Sequence, residues 1–210
     1  MKVIVFGSTG TVGKHLIRQA LEKDLEVKAF SRDISKWRDF NHSNLKIHTG
    51  DVFDKEEVHN AIEGQDVVVV VLGSGKSRKS AVRSEGTRNI IEAMKATGVR
   101  RLVCQTTLGA GSSRGNLNIF WKYIMFGWWL KEVLLDHELQ EKYIMDSKLD
   151  WTIVRPGAFT DGQKTGKYRH GFSHADRSVK LKISRADVAD FILRQLHSAL
   201  YLHQSPGISY

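Results

Sequence analysis

Residues 3–15 read VIVFGSTGTVGKH, and this stretch decides the fold. Four apolar residues run directly into a turn that carries Gly7 and Gly10, and Gly13 follows at the start of a helical pattern. Glycine permits tight turns and close backbone approach, and a helix N-terminus offers free N–H groups to an anion. The spacing is G-x-x-G-x-x-G rather than the commoner G-x-G-x-x-G. We predict a strand–turn–helix unit that holds a pyrophosphate, with Gly7, Gly10 and Gly13 among the cofactor-binding residues; a tight turn without a ligand is the alternative.

Strand and helix patterns then alternate along the chain. DVVVVVL (66–72) is a β-branched run, typical of a strand buried on both faces of a parallel sheet. Asp54 suits the N-cap of a short helix, and Gly98 follows a long helix that starts near Ala81. This rhythm predicts an α/β fold, a doubly wound parallel sheet (Rossmann-like), as a single domain over 1–210. The predicted strands are 2–6, 26–31, 45–50, 66–72, 101–106 and 151–156, with a short hairpin within 161–178 and a last helix over 184–200.

The end of the second strand bears on the choice of dinucleotide. It reads FSRDISK, which places Ser31 and Arg32 first and Lys36 behind them. A guanidinium suits a 2′-phosphate through charge-assisted hydrogen bonds, whereas an NAD enzyme usually offers an acidic residue to the ribose. Asp33 is the acidic alternative, and Arg32 as a plain surface charge is another. The pattern favours NADPH over NADH.

The ends of the third and fourth strands supply further candidate cofactor contacts. Asp51 and Val52 follow the third strand, in a loop that lies beside the adenine in this architecture. Leu72, Gly73 and Ser74 end the fourth strand with mostly small residues, as a close approach of backbone to cofactor requires. Plain turns are the alternative for both segments.

At this point the sequence resembles the atypical short-chain dehydrogenase/reductases, and among them the biliverdin reductase B type, the NADPH-dependent flavin reductases. The resemblance rests on GSTGTVGKH, SRD, GDV, SEGTRNIIEAMKATGVRRLV (84–103), VRPGAF and ISRADVADFILRQL (183–196). It implies that Thr107 stands in place of an active-site serine and that His137 lies beside the site, while Ala158 replaces a second histidine. Residues 108–135 do not match well. The cofactor contacts that it implies are Gly7, Thr9, Gly10, Thr11, Val12, Ser31, Arg32, Asp51, Val52, Leu72 and Gly73.

The Tyr-x-x-x-Lys pair of typical short-chain dehydrogenases is absent. The residue four positions after Tyr123, Tyr143 and Tyr168 is glycine, serine and phenylalanine, respectively. A fixed acid for a ketone oxygen is therefore missing, but hydride transfer to a flavin, bilin or quinone needs mainly orientation and takes its proton from water. Thr107 would hydrogen-bond the nicotinamide or the acceptor, or else only local backbone.

Composition and charge restrict the partners. The chain has 210 residues, one cysteine and a formal net charge of +9. Seven Lys and Arg residues between Arg155 and Lys182 face only two aspartates, which indicates either a solvated surface or a pocket for a phosphorylated or carboxylated acceptor. No nucleic-acid motif, metal-ligand spacing, signal peptide or membrane span stands out. We expect a cytoplasmic monomer without a metal, acting on a small molecule.

The segment 118–135 is the richest in aromatic residues. FWKYIMFGWW within it is compatible with helix core, with a wall or lid over a flat acceptor, or with a face that meets a protein or a membrane. We expect core and substrate wall together, with the substrate side formed by 107–135 and 155–182. The competing hypothesis is a non-catalytic NADP-binding redox sensor or assembly factor that uses 118–135 to bind a protein.

Overall fold

The centre of the computed structural model, which describes residues 1–38, 40–75, 77 and 80–210, is a sheet with six mutually parallel strands. Their order is β3-β2-β1-β4-β5-β6, so the chain moves outward from β1 in one direction, returns, and continues in the other. This confirms the predicted doubly wound α/β class. The strands are β1 (Lys2–Phe6), β2 (Glu26–Ser31), β3 (Leu45–Thr49), β4 (Val67–Val70), β5 (Arg101–Gln105) and β6 (Asp150–Pro156).

Helices cover both faces of the sheet. Two of them pack together on one face, and the other three pack on the opposite face. The valine run of β4 explains why both faces are covered: Val67 and Val69 point into one apolar cluster, and Val68 and Val70 into the other. The first face carries α1 (Thr11–Leu21) and α5 (Arg185–Gln195), and the second carries α2 (Lys55–Ile62), α3 (Val82–Thr97) and α4 (Lys131–Met145).

Local capping fixes several helix ends where the sequence predicts them. The carboxylate of Asp54 accepts hydrogen bonds from the backbone N–H groups of Glu56 and Glu57 at the start of α2. The hydroxyl of Ser184 accepts a hydrogen bond from the backbone N–H of Asp187 and so caps α5. Gly98 ends α3 in the left-handed conformation, with φ of 77°. The last helix, however, ends at Gln195 and not near residue 200.

The remaining strands correct the expectation of a hairpin within 161–178. In β8 (Arg169–His170) the backbone pairs with the distant β10 (Gly207–Ser209), not with a local neighbour. Strand β10 also pairs in parallel with β6 and so extends the main sheet. A second small sheet joins β7 (Ala158–Thr160) in parallel to β9 (Lys182–Ser184).

The segment between β5 and α4 is helical but irregular. A 3-10 helix, Gly111–Asn116, is followed by a ten-residue π-helix, Phe120–Trp129. A further 3-10 helix, Ile34–Trp37, follows β2. Cys104 lies in β5 at the centre of the sheet and is fully buried, and this burial raises the pKa of its thiol well above the usual value.

Candidate functional site

The glycine turn lies at the carboxyl ends of β1 and β4. Gly7 has a φ of +87°, and a Cβ placed on it would lie 2.4 Å from the carbonyl oxygen of Val71. The backbone N–H of Gly10 donates to the carbonyl of Gly7 over 3.0 Å, and Gly10 is also the N-cap of α1. Gly7 accepts no larger side chain without a shift of backbone, Gly10 is tight at 3.1 Å from the carbonyl oxygen of Gly7, and the first N–H groups of a helix have no partner within the helix. The turn is therefore a backbone cradle for an anion.

A cavity of about 700 Å³ extends from this turn along the carboxyl edge of the sheet. Gly13 is the one predicted cofactor residue that does not line it: a Cβ there would lie 2.3 Å from the carbonyl oxygen of Gly7, so Gly13 lets α1 pack beneath the turn. The other predicted site residues all line the cavity, namely Gly7, Thr9, Gly10, Thr11, Val12, Ser31, Arg32, Asp51, Val52, Leu72, Gly73, Ser74, Thr107 and His137.

Basic residues surround one end of the cavity. Arg32 and Lys36 line it, whereas Asp33 does not. The Asp33 carboxylate instead accepts a hydrogen bond from the N–H of Ser35 and caps the 3-10 helix Ile34–Trp37; this bond holds its pKa below the usual value. The Ser31 hydroxyl accepts from the N–H of Asp33 and donates to its carbonyl. The Asp33 carboxylate, the acidic alternative for ribose binding, is thus hydrogen-bonded to local backbone.

The loop after β3 is held in place by buried polar contacts. The side-chain amide of Asn89, on α3, donates to the carbonyl of Val52 over 3.0 Å. Val52 packs against Gly86, where a Cβ would come within 2.9 Å of its side chain. The N–H of Asp51 donates to the carboxylate of Glu57. Val52 therefore forms a fixed, apolar part of the cavity floor.

The end of β5 supplies polar groups near the middle of the cavity. Gln105 lines it, is 7% exposed, and has a side-chain carbonyl oxygen without a hydrogen-bond partner. Thr107 has only a 3.4 Å contact from its hydroxyl to the carbonyl of Leu108, at the long limit for a hydrogen bond. Sequence reasoning missed Gln105, although its place at a strand end on the ligand edge was available as a signal.

His137 reaches the cavity from α4 and is almost fully buried. Its Nδ1 lies 3.0 Å from the side-chain oxygen of Gln140, whose amide nitrogen donates to Thr87. Burial, with the nearby positive charge of Arg83, lowers the pKa of His137 to about 4. With this pKa the ring is uncharged near pH 7, which suits it to hydrogen bonding rather than to proton donation as an imidazolium.

Asp136, next to His137, joins α4 to the start of α3. Its carboxylate accepts hydrogen bonds from the N–H groups of Arg83 and Ser84 and from the Ser84 hydroxyl, the last over 2.6 Å. The Arg83 guanidinium, which lines the cavity, also contacts Asp136 at 3.3 Å. The first turn of α3 has no side-chain cap of its own, so Asp136 takes that role.

The basic stretch 155–182 does not form the anion pocket that was one of the two predictions. None of its seven Lys and Arg residues lines the cavity. Arg155 is fully buried and makes two hydrogen bonds to Glu141, over 2.9 and 2.6 Å, and a third to Ser112. Thr106 donates to the same carboxylate over 2.7 Å. Arg155 therefore fixes the loop after β5 to α4 and β6.

The far end of the cavity has an apolar wall. Trp121, Phe126 and Leu130 line it, and their spacing of five and four residues matches the wide turn of a π-helix, whose hydrogen bonds join residues five apart. Phe126 is buried in a cluster with Ala110, Leu117 and Leu134. The sequence predicted core and substrate wall together; these inward residues form an apolar cluster and line the cavity, and their contact with a substrate stays a prediction. Further apolar lining comes from Leu117, Val133, Pro156, Phe159 and Leu181.

No group of three or more His, Cys, Asp or Glu side chains within 1–38, 40–75, 77 and 80–210 is placed to hold a metal ion. In the same ranges, no helix is both long and apolar enough to cross a bilayer.

Comparison with known proteins agrees with the dinucleotide cradle. A family model described as NAD(P)H-binding matches residues 7–199. The chain belongs to this NAD(P)H-binding family. It is similar to an NAD(P)H azoreductase of Xenophilus azovorans, 28% identical over 75% of this chain and 48% of the relative. YMR090W of Saccharomyces cerevisiae is 30% identical over 93% of this chain and 87% of the yeast protein. The photosystem II assembly factor Ycf39 of Synechocystis is 25% identical over 77% of this chain and 46% of the relative.

The chain thus spans about half the length of the azoreductase and the assembly factor and most of the yeast protein. Among solved structures, the oxidoreductase ylbE of Lactococcus lactis has a TM-score of 0.84 at 25% identity, over 100% of this chain and 90% of the other. ChuY of Escherichia coli O157:H7, described as an anaerobilin reductase, has a TM-score of 0.84 at 24% identity, over 100% of this chain and 97% of the other. These likenesses support the Rossmann-like fold.

The residues of the cavity fit the dinucleotide that this family binds. The turn around Gly7 has backbone so close that a Cβ would clash, as a pyrophosphate cradle requires. The unpartnered oxygen of Gln105 is a buried acceptor in need of a donor, which a carboxamide supplies.

Proposed function

We propose that the protein is an NADPH-dependent reductase that transfers hydride to a planar acceptor and takes the accompanying proton from solvent. The observation that carries this proposal is the continuity of one cavity, which is lined by Arg32 and Lys36, by the glycine turn and by the apolar side chains of Trp121, Phe126 and Leu130. Such a cavity holds a dinucleotide and a flat partner side by side, and proximity of this kind is the main requirement of hydride transfer.

Selection of NADPH rests on the basic end of the cavity. Arg32 and Lys36 are available to a 2′-phosphate, while the Asp33 carboxylate is engaged by the N–H of Ser35. A guanidinium binds phosphate through charge-assisted, often bidentate hydrogen bonds. NADH lacks this phosphate, so Arg32 gives it no comparable contact.

The chain's own polar groups have orienting roles. Bound NADPH would supply the hydride, and the Gln105 oxygen and Thr107 hydroxyl would fix the carboxamide or the acceptor beside them. His137 is neutral and buried, so it hydrogen-bonds without giving up a proton at neutral pH. With no Tyr-x-x-x-Lys pair, acceptors that need a fixed acid are disfavoured.

The apolar wall favours a quinone-like acceptor over a bilin or FMN. Among the described lining residues beyond the glycine turn and the basic end, Arg83 is the cation, and it is paired with Asp136. Among these described residues a propionate or a flavin phosphate would have no unpaired cation, whereas a neutral aromatic ring would pack on Trp121 and Phe126. The azoreductase relative is named for another class of flat acceptor.

The test is oxidation of NADPH by the purified protein with a quinone, FMN, biliverdin and an azo compound offered separately, and NADH run in parallel. Arg32→Ala should raise the Kd for NADPH by roughly 10- to 100-fold, the loss of a charge-assisted hydrogen bond, and leave NADH nearly unchanged. Arg38→Ala is the matched control, because Arg38 is exposed and does not line the cavity. Equal losses for both cofactors in Arg32→Ala would contradict the NADPH assignment.

One observation favours a second candidate, a non-catalytic NADP-binding sensor or assembly factor. Trp128 is 80% exposed on the outer side of the π-helix, and one relative is named an assembly factor. In this case the protein would bind NADPH tightly yet turn over none of the four acceptors, and that result would exclude the reductase.

A further inference from the structure

The π-helix Phe120–Trp129 presents a second apolar stripe on the side opposite the cavity. Its members recur every four to five residues, which returns a π-helical side chain to the same face. Each is at least half exposed, and Trp128 at 80% and Ile119 at 78% are the most open. We call this stripe the outer aromatic face; it consists of Ile119, Phe120, Tyr123, Ile124 and Trp128.

The charges around the outer aromatic face are positive. From Leu108 to Lys131 the sequence contains no Asp or Glu but has Arg114, Lys122 and Lys131; Glu132 is the first acid. The Lys122 ammonium lies 5.5 Å from the centre of the Tyr123 ring, so its charge is at the face itself.

The basic stretch that avoids the cavity lies against this same segment. The amide of Asn116 donates to the carbonyls of Ser173 and Asp176, and Leu181 packs on the cluster that contains Phe126. Exposed Lys180 and Lys182 flank Leu181. Of the two acids in this stretch, Asp176 is paired with Arg169 and Asp161 with Arg185. The segment that carries the outer aromatic face is therefore joined to a second basic stretch of the chain.

We propose that the outer aromatic face binds the surface of an anionic lipid bilayer. Trp and Tyr rings prefer the boundary between headgroups and acyl chains, and Lys and Arg are attracted to anionic headgroups. A stripe of aromatic and Ile side chains, with Lys122 at the stripe and Lys131 in the same segment, matches both zones of that boundary at once. The helix lies in the interface and does not span it, in agreement with its ten residues. This association does not depend on the proposed reductase activity.

The experiment is flotation of the full chain with vesicles of phosphatidylcholine alone and with about one third phosphatidylglycerol. We expect the protein to float with the anionic vesicles in low salt and to stay behind with the neutral ones. Each Lys or Arg near such a surface contributes about fivefold to the partition coefficient, so Lys122→Gln with Lys131→Gln should lower it about 25-fold. Lys95→Gln, at an exposed position on α3, is the charge control.

The apolar contribution is tested separately. Ile124→Ser with Trp128→Ser should abolish flotation, because both side chains are exposed and neither lines the cavity. Leu200→Ser is the matched control, since Leu200 is 66% exposed and lies outside the segment. Unchanged thermal melting and NADPH binding show that the variants fold.

Two results would overturn the proposal. One is flotation that persists in the Ile124→Ser, Trp128→Ser variant, because another surface would then bind the lipid. The other is no flotation of the unaltered protein, with self-association in sedimentation velocity or binding to an acidic protein that the same double substitution abolishes. That outcome would assign the face to a protein partner.

Discussion

The buried ion pair between Glu141 and Arg155 gives the most quantitative prediction. Both side chains are at most 3% exposed, and they share two hydrogen bonds. Removal of one partner leaves an uncompensated charge in the interior, which costs about 3–5 kcal/mol of unfolding free energy. Glu141→Met also strands the Thr106 hydroxyl, and Arg155→Met leaves the carboxylate with Thr106 as its remaining bond. We expect Glu141→Met to cost about 4–5 kcal/mol and Arg155→Met about 3 kcal/mol.

The double variant separates the pair from its surroundings. With both charges replaced by methionine, no buried ion remains, so the total loss should be about 2 kcal/mol and smaller than either single loss. The coupling energy from the cycle is then about 5–6 kcal/mol.

The measurement is urea unfolding at pH 7 with m-values compared across the four proteins. Lys55→Met is the control, because the Lys55–Glu92 pair has a similar distance of 2.8 Å but is mostly exposed, and we expect a change below about 0.5 kcal/mol. Additive single losses, or a loss below about 1 kcal/mol for Glu141→Met, would refute this reasoning.

Two further predictions concern the cavity. The pKa of His137 is about 4 in the folded protein and near 6.5 in the unfolded chain, so the unfolded chain binds the proton first as the pH falls. Acidification from pH 6.5 to pH 4 should therefore remove about 3 kcal/mol of unfolding free energy. His137→Gln should flatten this dependence of stability on pH, and His197→Gln, a control at an exposed position, should not. If stability depends on pH in the same way in His137→Gln, protonation of His137 is not the cause of that dependence. Gly7→Ala should cost about 2–4 kcal/mol and weaken NADPH binding more than tenfold, as measured by urea unfolding and fluorescence titration, because its Cβ would meet Val71. Gly64→Ala has a similar positive φ but nothing within 4 Å, so a cost of about 1 kcal/mol is expected, and equal losses would contradict the cradle.

The sequence predicted the sheet well because its signals are local. The valine run of β4 and the caps Asp54, Gly98 and Ser184 act within a few residues, and each lies where the pattern placed it. The strand-end rule of parallel sheets then brings cavity residues from separate strands to one edge without any knowledge of contacts.

Non-local pairing explains what the sequence did not predict. Arg169–His170 pairs with Gly207–Ser209, and nothing within 161–178 signals so distant a partner. Charge count placed Arg155 in a stretch predicted to be either a solvated surface or an anion pocket, but it is buried against Glu141 on another element. Gly13 was counted as a cofactor contact, although packing beneath the turn is what excludes a side chain there. The two stripes of the π-helix recur every four to five residues, so a prediction based on the shorter α-helical period does not find them.

Chemical modification of Cys104 measures local opening of the central sheet. Its thiol lies on β5, between β4 and β6, and is fully buried with a raised pKa. A maleimide or disulfide reagent therefore cannot reach a thiolate while β5 stays paired with β4 and β6. The rate of its modification therefore reports how often the middle of the sheet separates from its neighbours. Since the chain has one cysteine, that rate needs no background correction, and its slowing on addition of NADPH would measure how strongly a ligand at the strand ends restrains the strands themselves.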